Sequence, residues 1–207
     1  PRVVPSVRQM FARIADSVDE RWRDALADID SAIEDPEFLA AFHDAEPGLH
    51  ALLRNTCSIT MLYGSQKINV VPPTSMAELD CRILPDQDAA EFLDGLRERI
   101  DDEQIEIEEL MLFSAAASSS DTPLYALLED SIRRHYPGAG IAPGVATGFT
   151  DSHFFRDIGI ESYGYNPSVR TPAQASGAHG NNERIGIETF ENGVEIMTET
   201  VMRFVTD

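Results

Sequence analysis

The chain has 207 residues, 43% of them hydrophobic and 25% charged, which is ordinary globular composition and enough length for one large domain or two small ones. Its 36 acidic residues against 16 Lys and Arg leave a formal net charge of −20, a field that repels the phosphate backbone of nucleic acids and anionic membrane surfaces alike. No run of 18 apolar residues exists to span a bilayer, and two cysteines, Cys57 and Cys81, are too few for a disulfide framework or a structural zinc site.

In chain order, Val3, Val7, Met10, Phe11 and Ile14 recur at spacings of three and four and predict a helix over about residues 2 to 18. The acidic stretch from Asp19 to Arg54 reads as short helices and loops. Trp22, Leu26, Ile29 and Ile33 suit one helical face, and Pro36 and Pro47-Gly48 are breaks. His43 and His50 have no ligand-spaced partner there and read as solvated or capping histidines. The period then changes to two. Cys57, Ile59, Met61 and Tyr63 alternate with polar residues, and so do Ala77, Leu79, Cys81 and Ile83, predicting two strands with one buried face. An antiparallel hairpin centred near Asn69 sets Cys57 opposite Cys81, expected as buried free thiols.

Asp86 is the expected N-cap of a helix bearing Phe92, Leu93, Leu96 and Ile100, and a further strand is expected from about Gln104 to Phe113. Residues 1–113 therefore read as a ferredoxin-like sandwich lacking its first strand. Ser114 to Ser120 has linker composition. Asp121-Thr122-Pro123 launches a helix ending at Pro137-Gly138. Short runs at 141–147 and 160–165, a helical piece at 151–158 and an amphipathic helix over about 188–206, with Phe190, Val194, Met197, Val201 and Phe204 on one side, make 114–207 part of an α/β layer. The fold class is thus α/β with an α+β first domain.

Three polar loops could carry chemistry: Lys67 to Pro73, Thr147 to His153, and Ser176 to Ile185. Each alone reads better as turn or cap chemistry. In order and with their spacings, however, Asn69 through Pro72, Leu79-Asp80-Cys81-Arg82, Thr150-Asp151-Ser152, Gly159-Ile160, Tyr163-Gly164 and His179-Gly180-Asn181-Asn182-Glu183-Arg184-Ile185 resemble one family. It is the aminoacylase, carboxypeptidase G and succinyl-diaminopimelate desuccinylase family of two-zinc metallohydrolases, nearest in wording to its carboxypeptidase S type. The resemblance covers most of 56–207.

It implies that 1–113 is the family's lid, through which members commonly form homodimers, and that 114–207 is the closing part of a zinc-bearing catalytic domain. Residue by residue, His179 matches the last zinc ligand, and Arg82 matches the arginine that grips the substrate carboxylate. Asn69 matches the asparagine reaching the substrate from the lid, often across the dimer, and Gly148 and Thr150 match the loop lining the cleft. Asp151 is expected to cap or orient that loop. His153 stands where many members have Arg. The His-x-Asp pair, the bridging Asp, the Glu-Glu pair with the general-base Glu, and the lid histidine have no counterpart here, so no catalytic group is assigned, and one zinc ligand alone leaves the two-zinc site incomplete.

The reading is therefore the C-terminal portion of a zinc-dependent hydrolase that cleaves an amide or peptide bond beside a free carboxylate, with a small peptide or N-acyl amino acid as substrate. The alternative is a non-catalytic dimerisation module derived from the same lid. A cysteine enzyme built on Cys81 fails, because an apolar strand face disfavours a thiolate. Nothing in the residues states an address, with the cytoplasm as the default expectation.

Overall fold

The computed structural model describes residues 1–206 except 172, 173, 175, 176, 178 and 179. It divides into two compact units, 1–117 with 142–160 and 118–141 with 161–206. Residues 142–160, expected with the second domain, cluster with the first.

The first unit keeps its core in the segment whose sequence is least regular. Helix α1 (Pro5–Ile14) starts on Pro, whose fixed φ suits a first turn, and buries Val7 and Phe11. A tight turn at Ala15–Ser17 ends it earlier than the spacing predicts. Trp22, Leu26 and Ile29 line one face as expected. The helix they belong to breaks at Asp28 into α2 (Arg23–Ala27) and α3 (Ile29–Ala32). Helix α4 (Pro36–Ala45) is capped by Asp35, whose carboxylate accepts from the Glu37 amide at 2.9 Å, and α5 (Pro47–His50) follows. Phe42 lies at the centre of an aromatic cluster. Phe38 stacks on it at 5.1 Å between ring centres, and Trp22 and Phe11 meet it edge-on at 5.3 and 6.2 Å.

Strands β1 (Thr56–Tyr63) and β2 (Met76–Arg82) pair antiparallel with Cys57 opposite Cys81, the register that the alternation predicts, and a bulge interrupts the ladder between Ile59 and Met61. Two expectations fail here. The cysteines form a disulfide instead of standing as buried thiols, because the ladder holds their Cα atoms 4.1 Å apart, and Cys57 is exposed. The apolar face is not covered either: Ile59 is 63% and Leu79 46% exposed. Alternation identifies an apolar face but not what lies on it. The segment 104–113 is not a strand, so the sheet is two-stranded among the described residues.

Helix α6 (Ala89–Ile100) turns its predicted face, Phe92, Leu93 and Leu96, half inward. Its cap is Asp88, which accepts from the amides of Ala90 and Glu91. Asp86, the expected cap, instead pairs with Arg2. Below the sheet, buried Leu84 and the Asn55 side chain tie the hairpin to the helical core. Asn55 accepts from the Leu84 amide at 2.8 Å and donates to Gln87 at 3.1 Å.

The second unit rests on α7 (Pro123–His135) and the long C-terminal helix, which becomes α9 (Ile187–Thr206) once α8 (Ser152–Asp157) of the first unit is counted. Thr122 caps α7 by accepting from the Tyr125 amide at 3.0 Å. Helix α9 buries Gly193, Ile196 and Thr200, a face of small and branched residues, and not the larger stripe of Phe190, Val194 and Phe204, which is exposed. Gly193 permits that packing: a Cβ there would lie 2.4 Å from the Ser168 hydroxyl. Across the pair, Arg203 donates to Asp130 at 2.7 Å and His135 contacts Glu199 at 2.7 Å. The stretch predicted as a linker is tied down, since the Ser118 hydroxyl bonds both the amide and the carbonyl of Ser162. In the described structure neither 141–147 nor 160–165 is a strand.

Candidate functional site

Arg82 ends β2, two residues before the buried Leu84 that anchors the hairpin, so the strand holds its backbone firmly. Its guanidinium grips the Asp80 carboxylate at two points, Nε to Oδ1 and Nη2 to Oδ2, the latter at 2.6 Å. This planar two-point geometry is the one that Arg offers to any carboxylate, and the pair stands nearly half exposed, open to exchange.

Asn69 lies in the exposed connection over 64–75, at the other end of the ladder. Thr56 pairs with Arg82 and Tyr63 with Met76, so that connection begins and ends six residue steps from Arg82, about 20 Å at ~3.3 Å per residue. The ladder thus anchors the connection that carries Asn69 at the end opposite Arg82.

Gly148 and Thr150 sit on the exposed stretch before α8. The Thr150 hydroxyl accepts weakly from the Ser152 amide at 3.4 Å, while Asp151 makes no side-chain cap bond, contrary to the role expected of it. His153 is 6% exposed, enclosed by Phe113, Phe149 and Phe154 with ring centres 4.4, 5.2 and 3.8 Å away, and its Nδ1 is 3.6 Å from Asp157, beyond hydrogen-bond range. His153 thus belongs to an aromatic cluster that includes Phe149 of the Gly148–Thr150 stretch.

His179 falls outside the described residues. Among the described residues no three His, Cys, Asp or Glu side chains gather as a metal site. Among the described residues the donor set does not suffice for a zinc pair.

One juxtaposition escapes the sequence. His43 and His50 come within 5.0 Å between ring centres, edge to face, on a cleft of about 320 Å³ that Arg54 and Asp44 also line. The expectation that they lack partners fails, because the break at Pro47 folds α5 back on α4; His43 also contacts Asp44 at 3.1 Å. Burial, then Arg54 and His43, then the terminal amine, push the His50 imidazole below its ordinary value of 6.5.

Residues 4–108 match the family model described as the peptidase dimerisation domain, of M20 type. The chain is 31% identical over 162 residues to the N-fatty-acyl-amino acid synthase/hydrolase PM20D1 of Mus musculus, an alignment covering 76% of this chain and 32% of that protein. It is 28% identical to aminoacylase-1 of Mus musculus, over 74% of this chain and 38% of the relative. An M20 family metallo-carboxypeptidase from Sulfolobus solfataricus, Sso-CP2, shares the fold. Its TM-score is 0.60 at 16% identity, over 97% of this chain and 45% of that one. The chain thus spans about a third of the length of these curated relatives. Helices with a small antiparallel sheet, the peptidase-type model over 4–108 and the fold of a metallo-carboxypeptidase together place this chain in the M20 peptidase family, through its dimerisation domain.

Proposed function

We propose that the chain is the lid and closing part of a zinc-dependent hydrolase that works as a homodimer and cleaves the amide bond of an N-acyl amino acid or small peptide beside its free carboxylate. The observation that carries this reading is the fork of Arg82. On a strand end pinned by Leu84 and Asn55, it already holds a carboxylate in the two-point manner that a substrate carboxylate would require. In this reading the substrate displaces Asp80, which in the free protein keeps the guanidinium oriented. Asn69, on the connection anchored at the opposite end of the ladder, serves the site of a second copy. Residues of this chain supply binding and orientation; metal and general base come from outside the described residues.

In the longer hydrolase, Arg82→Lys should raise KM for an N-acyl amino acid by at least about tenfold with kcat little changed, because a point charge replaces a two-point grip. An unchanged KM would overturn the assignment. Zinc calorimetry on the 207-residue chain should give no tight stoichiometric binding, and a nanomolar site there would refute an incomplete metal set. Sedimentation of the same chain should show a dimer that strengthens with salt, since each copy carries −20. A monomer at high concentration and high salt would remove the dimer from the proposal.

A further inference from the structure

The Cys57–Cys81 bond crosses the ladder one residue pair inside its Thr56–Arg82 end. An isolated two-stranded sheet is marginal in water, and this one exposes apolar side chains such as Leu62 and Met76 instead of burying them. The bulge between Ile59 and Met61 interrupts the ladder two residues beyond the link. Besides the link, the Asn55 side chain accepts from the Leu84 amide at 2.8 Å just outside the linked end, and at the far end the Thr60 hydroxyl donates to the Glu78 carbonyl at 3.3 Å and the Tyr63 hydroxyl to the Glu78 carboxylate at 2.9 Å, both exposed. The covalent link is therefore the firmest clasp at the end that carries Arg82.

The two cysteines differ in exposure. Cys57 is on an exposed position and Cys81 is half-buried. An incoming thiolate reaches the Cys57 sulfur from solvent and expels the Cys81 thiolate.

From the register, this difference in exposure and the uncovered two-stranded ladder, we infer that Cys57–Cys81 is a thiol–disulfide exchange site whose substrate is a protein or small-molecule dithiol, and whose state sets the order of the β1–β2 ladder. In the forward step one thiolate of the dithiol bonds to the Cys57 sulfur as the Cys57–Cys81 bond breaks. The second thiolate then attacks its own partner sulfur in the mixed disulfide and releases Cys57. The dithiol is oxidised to its disulfide, the protein gains two electrons and two protons, and both cysteines become thiols. The inference is independent of the proposed hydrolase, since it concerns this chain alone.

The test equilibrates the native 207-residue chain in dithiothreitol buffers of graded reduced-to-oxidised ratio, quenches it with N-ethylmaleimide and counts adducts by mass. The expected result is no adduct at the oxidising end, two at the reducing end, and one concerted transition between them. Two adducts throughout would show that the bond does not form, and none after native reduction would show that a dithiol cannot reach it; either overturns the inference. Hydrogen exchange on the same samples should show amides of 57–63 and 76–82 losing at least about tenfold protection on reduction, while amides of α1 and α4 do not change. Equal protection in both states would overturn the clasp. The variant with Cys57→Ser and Cys81→Ser should exchange like the reduced chain and ignore dithiothreitol, and a response to reductant in that variant would also refute the assignment.

Discussion

Replacing Phe42 by Ala should remove a large part of the stability of the first unit. The ring is fully buried and touches Phe38, Trp22 and Phe11 at once, with ring centres 5.1, 5.3 and 6.2 Å away. Truncating a buried Phe to Ala costs about 3–5 kcal/mol, and each well-oriented aromatic pair adds about 0.5–1.5 kcal/mol beyond burial. Three such pairs put Phe42→Ala at the upper end, about 4–5 kcal/mol, against a total of about 5–15 kcal/mol for a typical domain. Trp22 is the single Trp, so urea unfolding followed by its fluorescence reports this unit without contribution from the other. With a urea slope of about 2 kcal/mol per M, the midpoint should fall by about 2 M. If the variant proves too unstable to fold, Phe42→Leu should show the same direction with a smaller shift. A loss below about 1.5 kcal/mol for Phe42→Ala at unchanged slope would mean that the cluster is not the core of the unit.

Two further expectations concern the second unit and the histidine cleft. Thr122→Ala removes the hydroxyl that caps α7 and meets the Tyr163 hydroxyl at 2.6 Å, and should destabilise the second unit by about 1–2 kcal/mol in thermal melts monitored by near-ultraviolet tyrosine dichroism; Thr122→Ser should recover most of it. For His50, the folded imidazole titrates below its ordinary 6.5, so the unfolded chain binds the proton first as pH falls. Its contribution is fully present above pH 6.5 and is lost as pH falls through the lower folded value. His50→Leu should therefore flatten the decline of the Trp22 unfolding midpoint on the acid side of 6.5, and an unaltered slope would refute the sign.

Much of the local structure is legible in the residues because it depends on neighbours in the chain. The period-two alternation sets the β1–β2 register down to Cys57 opposite Cys81. The apolar spacing of α6 locates its inward face, and Pro after Thr122 marks the start of α7. The candidate site is legible only as residue types in order; in the fold Arg82 pairs with Asp80 on its own strand.

What the residues leave open is decided by packing between segments distant in sequence. Helical periodicity over 19–54 is interrupted by Asp28, Pro36 and Pro47, so nothing local reveals that Trp22, Leu26, Ile29 and Phe42 form the main core with α1. The same folding back of α5 on α4 brings His43 to His50. Helix α9 carries two faces suited to packing, and Gly193 lets the chain approach the smaller one while the larger apolar stripe stays exposed. That the cysteines come close enough to bond follows from the Cα separation imposed by the ladder, and the distance from Arg82 to the ends of the Asn69 connection follows from ladder length. Periodicity states which side of an element is apolar. Only the three-dimensional packing determines what meets that side, because burial is a property of pairs of surfaces and not of one.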